Sequence, residues 1–190
     1  MEKIKQSLSD VAHNWVVIGM ITLFLFGVQP GPTETQAVEA KQEIVETSNK
    51  KQEAQLKKET LEKFSNTVYK PSEMLSDKEL INLLSAVGFE GRALKMAWAV
   101  AKKESNGRPM AYNGNRNTGD SSYGIFQINM LGNLGDVRKE KFDLRSNVLL
   151  FDPVINAEIT YYMTKGGTDW SSWPNSLSKA KKLISQFPNS

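Results

Sequence analysis

The chain has 190 residues, 39% hydrophobic and 24% charged, with a formal net charge of +3, which allows one ordinary domain plus additional segments. It has no cysteine and a single histidine, His13, so disulfides, thiol nucleophiles and thiolate metal sites are excluded, and no Ser-His-Asp triad, Cys-His pair or histidine-ligated zinc can be assembled downstream. The mild positive charge suits an anionic surface, no basic block with interleaved aromatics marks a nucleic-acid partner, and the chemistry left to the chain is that of carboxylates.

Residues 1–14 are polar and carry Lys3 and Lys5, and Trp15 to Val28 then reads WVVIGMITLFLFGV without a charge. A membrane-spanning helix takes roughly 20 apolar residues. This run is shorter and is ended by Pro30-Gly31-Pro32, so it fits the apolar core of a signal peptide, with small residues at Thr35-Gln36-Ala37 and Val38-Glu39-Ala40 for the peptidase. The alternative is an uncleaved anchor. Under both readings of residues 1–37 the downstream domain is exported.

Glu39 to Lys63 holds six glutamates and six lysines and neither glycine nor proline. Ile44, Val45, Leu56 and Leu61 are too sparse to define a coiled-coil seam. Residues 38–70 are read as a solvated charged stalk, part helical and part disordered.

From Pro71 to the end at 190 the composition is that of a globular domain. Ser76-Asp77-Lys78-Glu79 has the pattern of a capping box, in which the serine and the glutamate three residues on satisfy each other's amides. It opens a helix through Leu80, Leu83, Leu84 and Val87 that Gly88 stops. A second helix is predicted from about Gly91 to Ser105, a Gly/Asn-rich loop over Asn106–Ser121, and a short strand over Ser122–Asn129. Asp152-Pro153 supplies an N-cap and a first-turn proline to a helix ending before Gly166-Gly167, and a last helix is predicted over Leu177–Phe187.

In the second helix Leu94, Ala97, Trp98 and Ala101 recur at helical spacing and mark a buried stripe, which three residues further on reaches Glu104. Apolar surroundings and the negative end of the helix dipole both disfavour a charged carboxylate there and raise its pKa, which suits a general acid toward a glycosidic oxygen. The other reading is a helix-end glutamate turned to solvent or paired with Arg108 or Arg116.

Glu104-Ser105-Asn106-Gly107, then Asn113 to Asp120, then Ser122-Tyr123-Gly124-Ile125-Phe126-Gln127-Ile128-Asn129 resembles the active-site region of lysozymes and lytic transglycosylases, in which an E-S pair ends a helix and a G-[IL]-[FLM]-Q segment comes about twenty residues later. Leu150-Phe151-Asp152-Pro153, Asn156-Ala157, Gly166-Gly167 and Trp170-Ser171-Ser172-Trp173 resemble the closing helix and W-x-x-W of animal lysozymes. The resemblance spans roughly residues 76–174.

The resemblance implies that Glu104 is the general acid/base and that Trp170 packs against it and helps to raise its pKa. It implies that Gln127 and Asn129, with Ser122 and Tyr123, lie on a strand lining the sugar cleft, where amides can bond N-acetyl groups. Tyr161 and Tyr162 lie on the helix facing the glutamate, and which one enters the cleft is left open. Core packing is the other reading for Trp170 and Trp173.

One departure matters. Where hen-type lysozymes carry an aspartate directly before the Tyr-Gly, this chain has Ser122, and where goose-type enzymes can carry an acid two residues after the glutamine, it has Asn129. Asp120 is the nearby acid that can substitute, either roughly 5 Å from Glu104 in a retaining enzyme or roughly 6.5–9.5 Å in an inverting one. Lytic transglycosylases manage with one glutamate, and the missing acids favour that route.

The fold class expected is therefore α+β, predominantly α-helical: a lysozyme-like catalytic domain over 71–190 with a small β element, behind a signal or anchor and a stalk. The function expected is cleavage of the β-1,4 bond between N-acetylmuramic acid and N-acetylglucosamine by a single-glutamate mechanism, with neither cofactor nor metal. The partner is the peptidoglycan glycan strand, with the membrane added if the N-terminus stays uncleaved and no nucleic acid. The protein is expected to be exported to the extracellular space or wall, or anchored facing the wall. The alternatives are a muramidase using Glu104 and Asp120, a non-catalytic wall-binding module, and a membrane-anchored adaptor acting through residues 1–63.

Overall fold

The structure, a computed structural model, describes residues 34–115, 117 and 119–188. The apolar run 15–28, with its signal or anchor reading, lies outside the described residues. Contacts divide the chain into two units, residues 1–50 and 51–190.

Helix α1 runs unbroken over Glu34–Asn66. Its length comes from the absence of Gly and Pro and from charges four residues apart. Glu46–Lys50 (2.8 Å), Glu53–Lys57 (3.0 Å) and Lys58–Glu62 (3.8 Å) pair along it. Ile44, Val45 and Leu56 are exposed. Within the second unit the end of this helix changes character: Phe64 is buried in the core, and the Ser65 hydroxyl donates to Asp152.

Helix α2 spans Asp77–Val87. The Ser76 hydroxyl accepts the Glu79 amide at 3.3 Å and the Glu79 carboxylate accepts the Ser76 amide at 2.9 Å, which completes the capping box. Leu80, Leu83 and Leu84 are fully buried, and Gly88 closes the helix at φ 118°. Helix α3, Gly91–Ser105, is more deeply buried than a one-sided stripe predicts, because Met96 through Ala101 are all in the core. It ends at Asn106, whose left-handed backbone (φ 58°) returns its amide to the Lys102 carbonyl.

The β element is a three-stranded antiparallel sheet of two-residue strands: β1 Tyr112–Asn113, β2 Ser122–Tyr123 and β3 Ile128–Asn129. Tyr112 pairs with Tyr123, and Ser122 with Asn129. The stretch 122–129 is thus a hairpin and not the single strand that its apolar content predicts, and part of the predicted loop 106–121 forms β1. Gly124 (φ 74°) and Gln127 (φ 49°) reverse the chain, and the Gln127 amide donates to the Gly124 carbonyl at 3.1 Å. Ile125 and Phe126, fully buried, are apolar because the turn plugs into the core.

Helix α4, Gly132–Phe142, has no counterpart among the predicted elements: it holds two glycines, and its Leu134 and Val137 are exposed. A 3-10 turn over Asn147–Phe151 leads into α5, Pro153–Met163, whose N-cap Asp152 accepts the Val154 amide at 2.8 Å. Helix α6 spans Pro174–Leu183, starting three residues before the predicted Leu177 because Pro174 occupies its first turn; a 3-10 turn, Ile184–Gln186, comes after it. Helix α3 is the centre of the packing, with α2 and α6 both against it.

Candidate active site

Glu104 lies in the last turn of α3, half-buried, on an open depression of about 440 Å³ that Ser72, Met74, Lys102, Lys103, Asn106 and Arg108 also line. Two forces fix the end of this helix. The Lys102 ammonium pairs with Asp77 at 3.1 Å, and Asp77 also accepts the Trp98 indole at 3.1 Å, so the start of α2 clamps the last turns of α3. The Ser105 hydroxyl, buried, donates to the Ile125 carbonyl at 2.7 Å and accepts the amides of Gly107 and Arg108 at 3.1 and 3.2 Å. Ser105 thereby staples the residue after Glu104 to the turn of the hairpin.

Burial holds the Glu104 carboxyl above the usual carboxylate range. A hydrogen bond donated by the Ser176 hydroxyl to Glu104 Oε1 and the positive charge of Lys103 oppose that shift, and the negative charge of Asp120 adds to it weakly. Arg108 turns its Nε to the Ser105 carbonyl at 3.0 Å, and Arg116 lies outside the described residues. Ser176, buried in the first turn of α6, is a site residue that sequence reasoning misses. Its only local signal is a serine near a helix start, which ordinarily means a cap.

The positions read as cleft-lining divide by what their side chains do. Ser122 is buried and donates to Asp120 Oδ1 at 3.4 Å, so Asp120 is placed both beside Ser122 and within electrostatic range of Glu104. Asn129 accepts the Ser121 and Leu131 amides at 3.4 and 2.9 Å and donates to the Gly119 carbonyl at 3.0 Å. Gln127 stands in the turn, and its Nε2 donates to the carbonyls of Ala111 (3.1 Å) and Gly124 (2.9 Å). Both amide side chains therefore hold the loop that carries Asp120 and the hairpin below it.

The aromatic positions lie on two sides. Tyr123 packs on Tyr112 (4.9 Å) and Phe151 (5.4 Å), and its hydroxyl accepts from Ser121, which pulls the phenol below its ordinary pKa. Tyr161 meets Phe89 edge-on at 5.0 Å, whereas Tyr162 is 61% exposed and packs on Phe142 beneath the Lys141 ammonium. Trp170 is buried among Phe89, Phe126 and Trp173, with its indole donating to the Gly167 carbonyl at 2.9 Å, so it is a core residue. Trp173 donates to the Phe126 carbonyl at 2.7 Å and so ties the start of α6 to the hairpin turn.

That turn is held from below by Asn156, which is fully buried. Its Nδ2 donates to the carbonyls of Tyr123 (3.0 Å) and Leu150 (2.9 Å), and its Oδ1 accepts the Phe126 amide at 2.9 Å. A Cβ at Gly124 would stand 2.2 Å from the Leu150 carbonyl oxygen, so only glycine fits.

A family model described as a lysozyme like domain matches residues 81–175, half of the chain. No curated protein and no solved structure gives a match. The matched span runs from α2 to the first turn of α6 and takes in Glu104, the sheet, Trp98, Trp170 and Trp173. As a family this domain is a peptidoglycan-cleaving glycosidase, which makes peptidoglycan the implied substrate. The order of helix, hairpin and closing helices and the matched span agree, and the chain belongs to the lysozyme-like domain family.

Proposed function

We propose that the chain is an exported enzyme that cleaves the β-1,4 bond between N-acetylmuramic acid and N-acetylglucosamine, with Glu104 as its general acid and then base, by the lytic transglycosylase route. The observation that carries this reading is a glutamate on an open depression whose carboxyl is held by burial above the ordinary range. A carboxyl so placed keeps a larger protonated fraction near neutral pH and can give its proton to the glycosidic oxygen as the C1–O bond breaks. The resulting carboxylate then accepts the proton of the sugar's 6-hydroxyl as that oxygen closes on C1, which returns Glu104 to its starting state and leaves a 1,6-anhydro ring. The N-acetyl group stabilises the cation between the two steps. The side chains at the two positions where relatives place a second acid support this route: Ser122 and Asn129 are neutral, and Asn129 is committed to backbone groups. Export through residues 1–37 belongs to the same proposal, since the substrate lies outside the cytoplasmic membrane.

A second reading, a muramidase with Asp120 as the other carboxylate, has one observation in its favour: the charge of Asp120 reaches Glu104. Mass spectrometry of the fragments that the full chain releases from purified peptidoglycan separates the two. Anhydro-muramic ends are expected; reducing ends, heavier by one water, would assign Asp120 instead. Release of nothing by the wild-type chain, with binding to wall retained, would mean a binding module.

A further inference from the structure

The loop and helices around Glu104 leave one polar contact on its carboxyl that the family match does not reach. Ser176 lies one residue beyond the matched span, at the third position of α6, and its hydroxyl donates to Glu104 Oε1. The contact joins residues 72 apart in the chain, and both its partners are fixed independently. Glu104 is fixed through Ser105 and the Lys102–Asp77 pair. Ser176 is fixed because Pro174 sets the first turn of α6, its own amide bonds to the Trp173 carbonyl at 3.1 Å, and the Trp173 indole is held by the hairpin turn.

We propose that Ser176 is the positioning residue of Glu104: its hydroxyl engages Oε1 in both protonation states and leaves Oε2 as the oxygen that gives and takes the proton. The proposal rests on the reading of Glu104 as general acid. The geometry explains how one glutamate can serve as both acid and base. At the C-terminal end of α3 a carboxylate meets carbonyl oxygens, while from across the site the first turn of α6 supplies the Ser176 hydroxyl. The anion formed after the first proton transfer is therefore met by a donor already in place, with no reorganisation at that moment. The charged groups that act on this carboxyl are Lys103 on its own helix and Asp120 on the loop before β2, and Arg108 and Lys102 line the same depression. From α6 the contact is the neutral hydroxyl. Removing it withdraws support from the anionic form, so the proton affinity of Glu104 rises.

The test compares the full chain with S176A, S176T and E104Q on soluble glycan fragments, measuring kcat, KM and the pH dependence of kcat/KM. In S176A we expect kcat to fall about 10-fold with KM unchanged and the alkaline limb, where the acid loses its proton, to move up by about one pH unit. S176T, which keeps the hydroxyl, should restore the wild-type limb. A wild-type pH profile in S176A overturns the positioning role while leaving Glu104 as the acid. Retained activity in E104Q overturns the reading on which the proposal stands. Should S176A fail to fold, S176C keeps the volume and weakens the donor, and the same upward shift is required of it.

Discussion

Two polar centres, Asn156 fully buried and Glu104 half-buried, lie within one domain and are built on opposite terms. At Asn156 every polar atom of the side chain is matched: two donors reach two backbone carbonyls and the carbonyl oxygen receives an amide. At Glu104 a carboxylate able to accept several hydrogen bonds has one hydroxyl from Ser176 and a partial shield from water. Full satisfaction makes Asn156 a rivet that fixes the hairpin turn against α5 and the 3-10 turn. Under-satisfaction leaves Glu104 with a displaced proton affinity, a cost in stability that is useful only if the proton is used. Both centres are tied to the hairpin turn, Asn156 by accepting the Phe126 amide and Glu104 through its neighbour Ser105, which donates to the Ile125 carbonyl.

The comparison is broken most directly at the reactive centre. Glu104→Gln is expected to lower kcat by about 10³-fold, within the range for loss of a general acid, while circular dichroism and wall binding stay unchanged. Full activity in this variant would remove the contrast altogether. At the rigid centre the expectation reverses. Asn156→Leu leaves the Phe126 amide and two carbonyls unpaired in the core, and should cost about 3 kcal/mol of stability, or about 10 °C in Tm. Gly124→Ala, which drives a Cβ against the Leu150 carbonyl, should behave alike. Whatever fraction of either variant remains folded should cleave wall at the normal rate.

A smaller effect sharpens the comparison. The folded-state pKa of Glu104 lies above its unfolded value, so its contribution is complete below the unfolded carboxyl value and is lost as pH rises through the folded one. Glu104→Gln escapes that loss, so its Tm relative to that of the wild type should be higher at pH 8 than under acid conditions. Asn156 has no such term, and the Tm deficit of Asn156→Leu should be the same at both pH values. The smallest effect is at Asp120, whose charge raises the Glu104 pKa only weakly. Asp120→Asn should therefore move the alkaline limb of kcat/KM slightly down in pH, with less than a 10-fold loss of rate. A loss of 100-fold or more would transfer Asp120 to the catalytic pair.

Elements with a chemical start or stop are legible in the sequence. The Ser76 box, the Asp152-Pro153 cap and Gly88 each act through hydrogen bonds or backbone angles within four residues. Helix α4 is not legible, because an exposed helix with two glycines carries no apolar periodicity to read. The hairpin reads as a strand because Ile125 and Phe126 are apolar for the sake of a buried turn, and burial looks the same in either structure. The resemblance assigns Gln127 and Asn129 to the sugar cleft, yet their hydrogen bonds run to the backbone of the loop beside them. At the other end, nothing in the composition of Glu39–Lys63 indicates that Phe64 and Ser65, just beyond it, join the core and the N-cap of α5.

By itself the sequence narrowed the chemistry open to this domain, since without cysteine and with its one histidine upstream the thiol, histidine-triad and histidine–zinc routes are closed. It also determined the helices that carry their own caps, and the order of segments by which the family is recognised. Only the tertiary structure decided which carboxylate is shielded from water, what meets it from across the site, and which amides are bound by the backbone. The physical reason is range. A cap is a contact between near neighbours and leaves a pattern in the chain, whereas the proton affinity of Glu104 depends on a serine 72 residues away and on the atoms that exclude water around it.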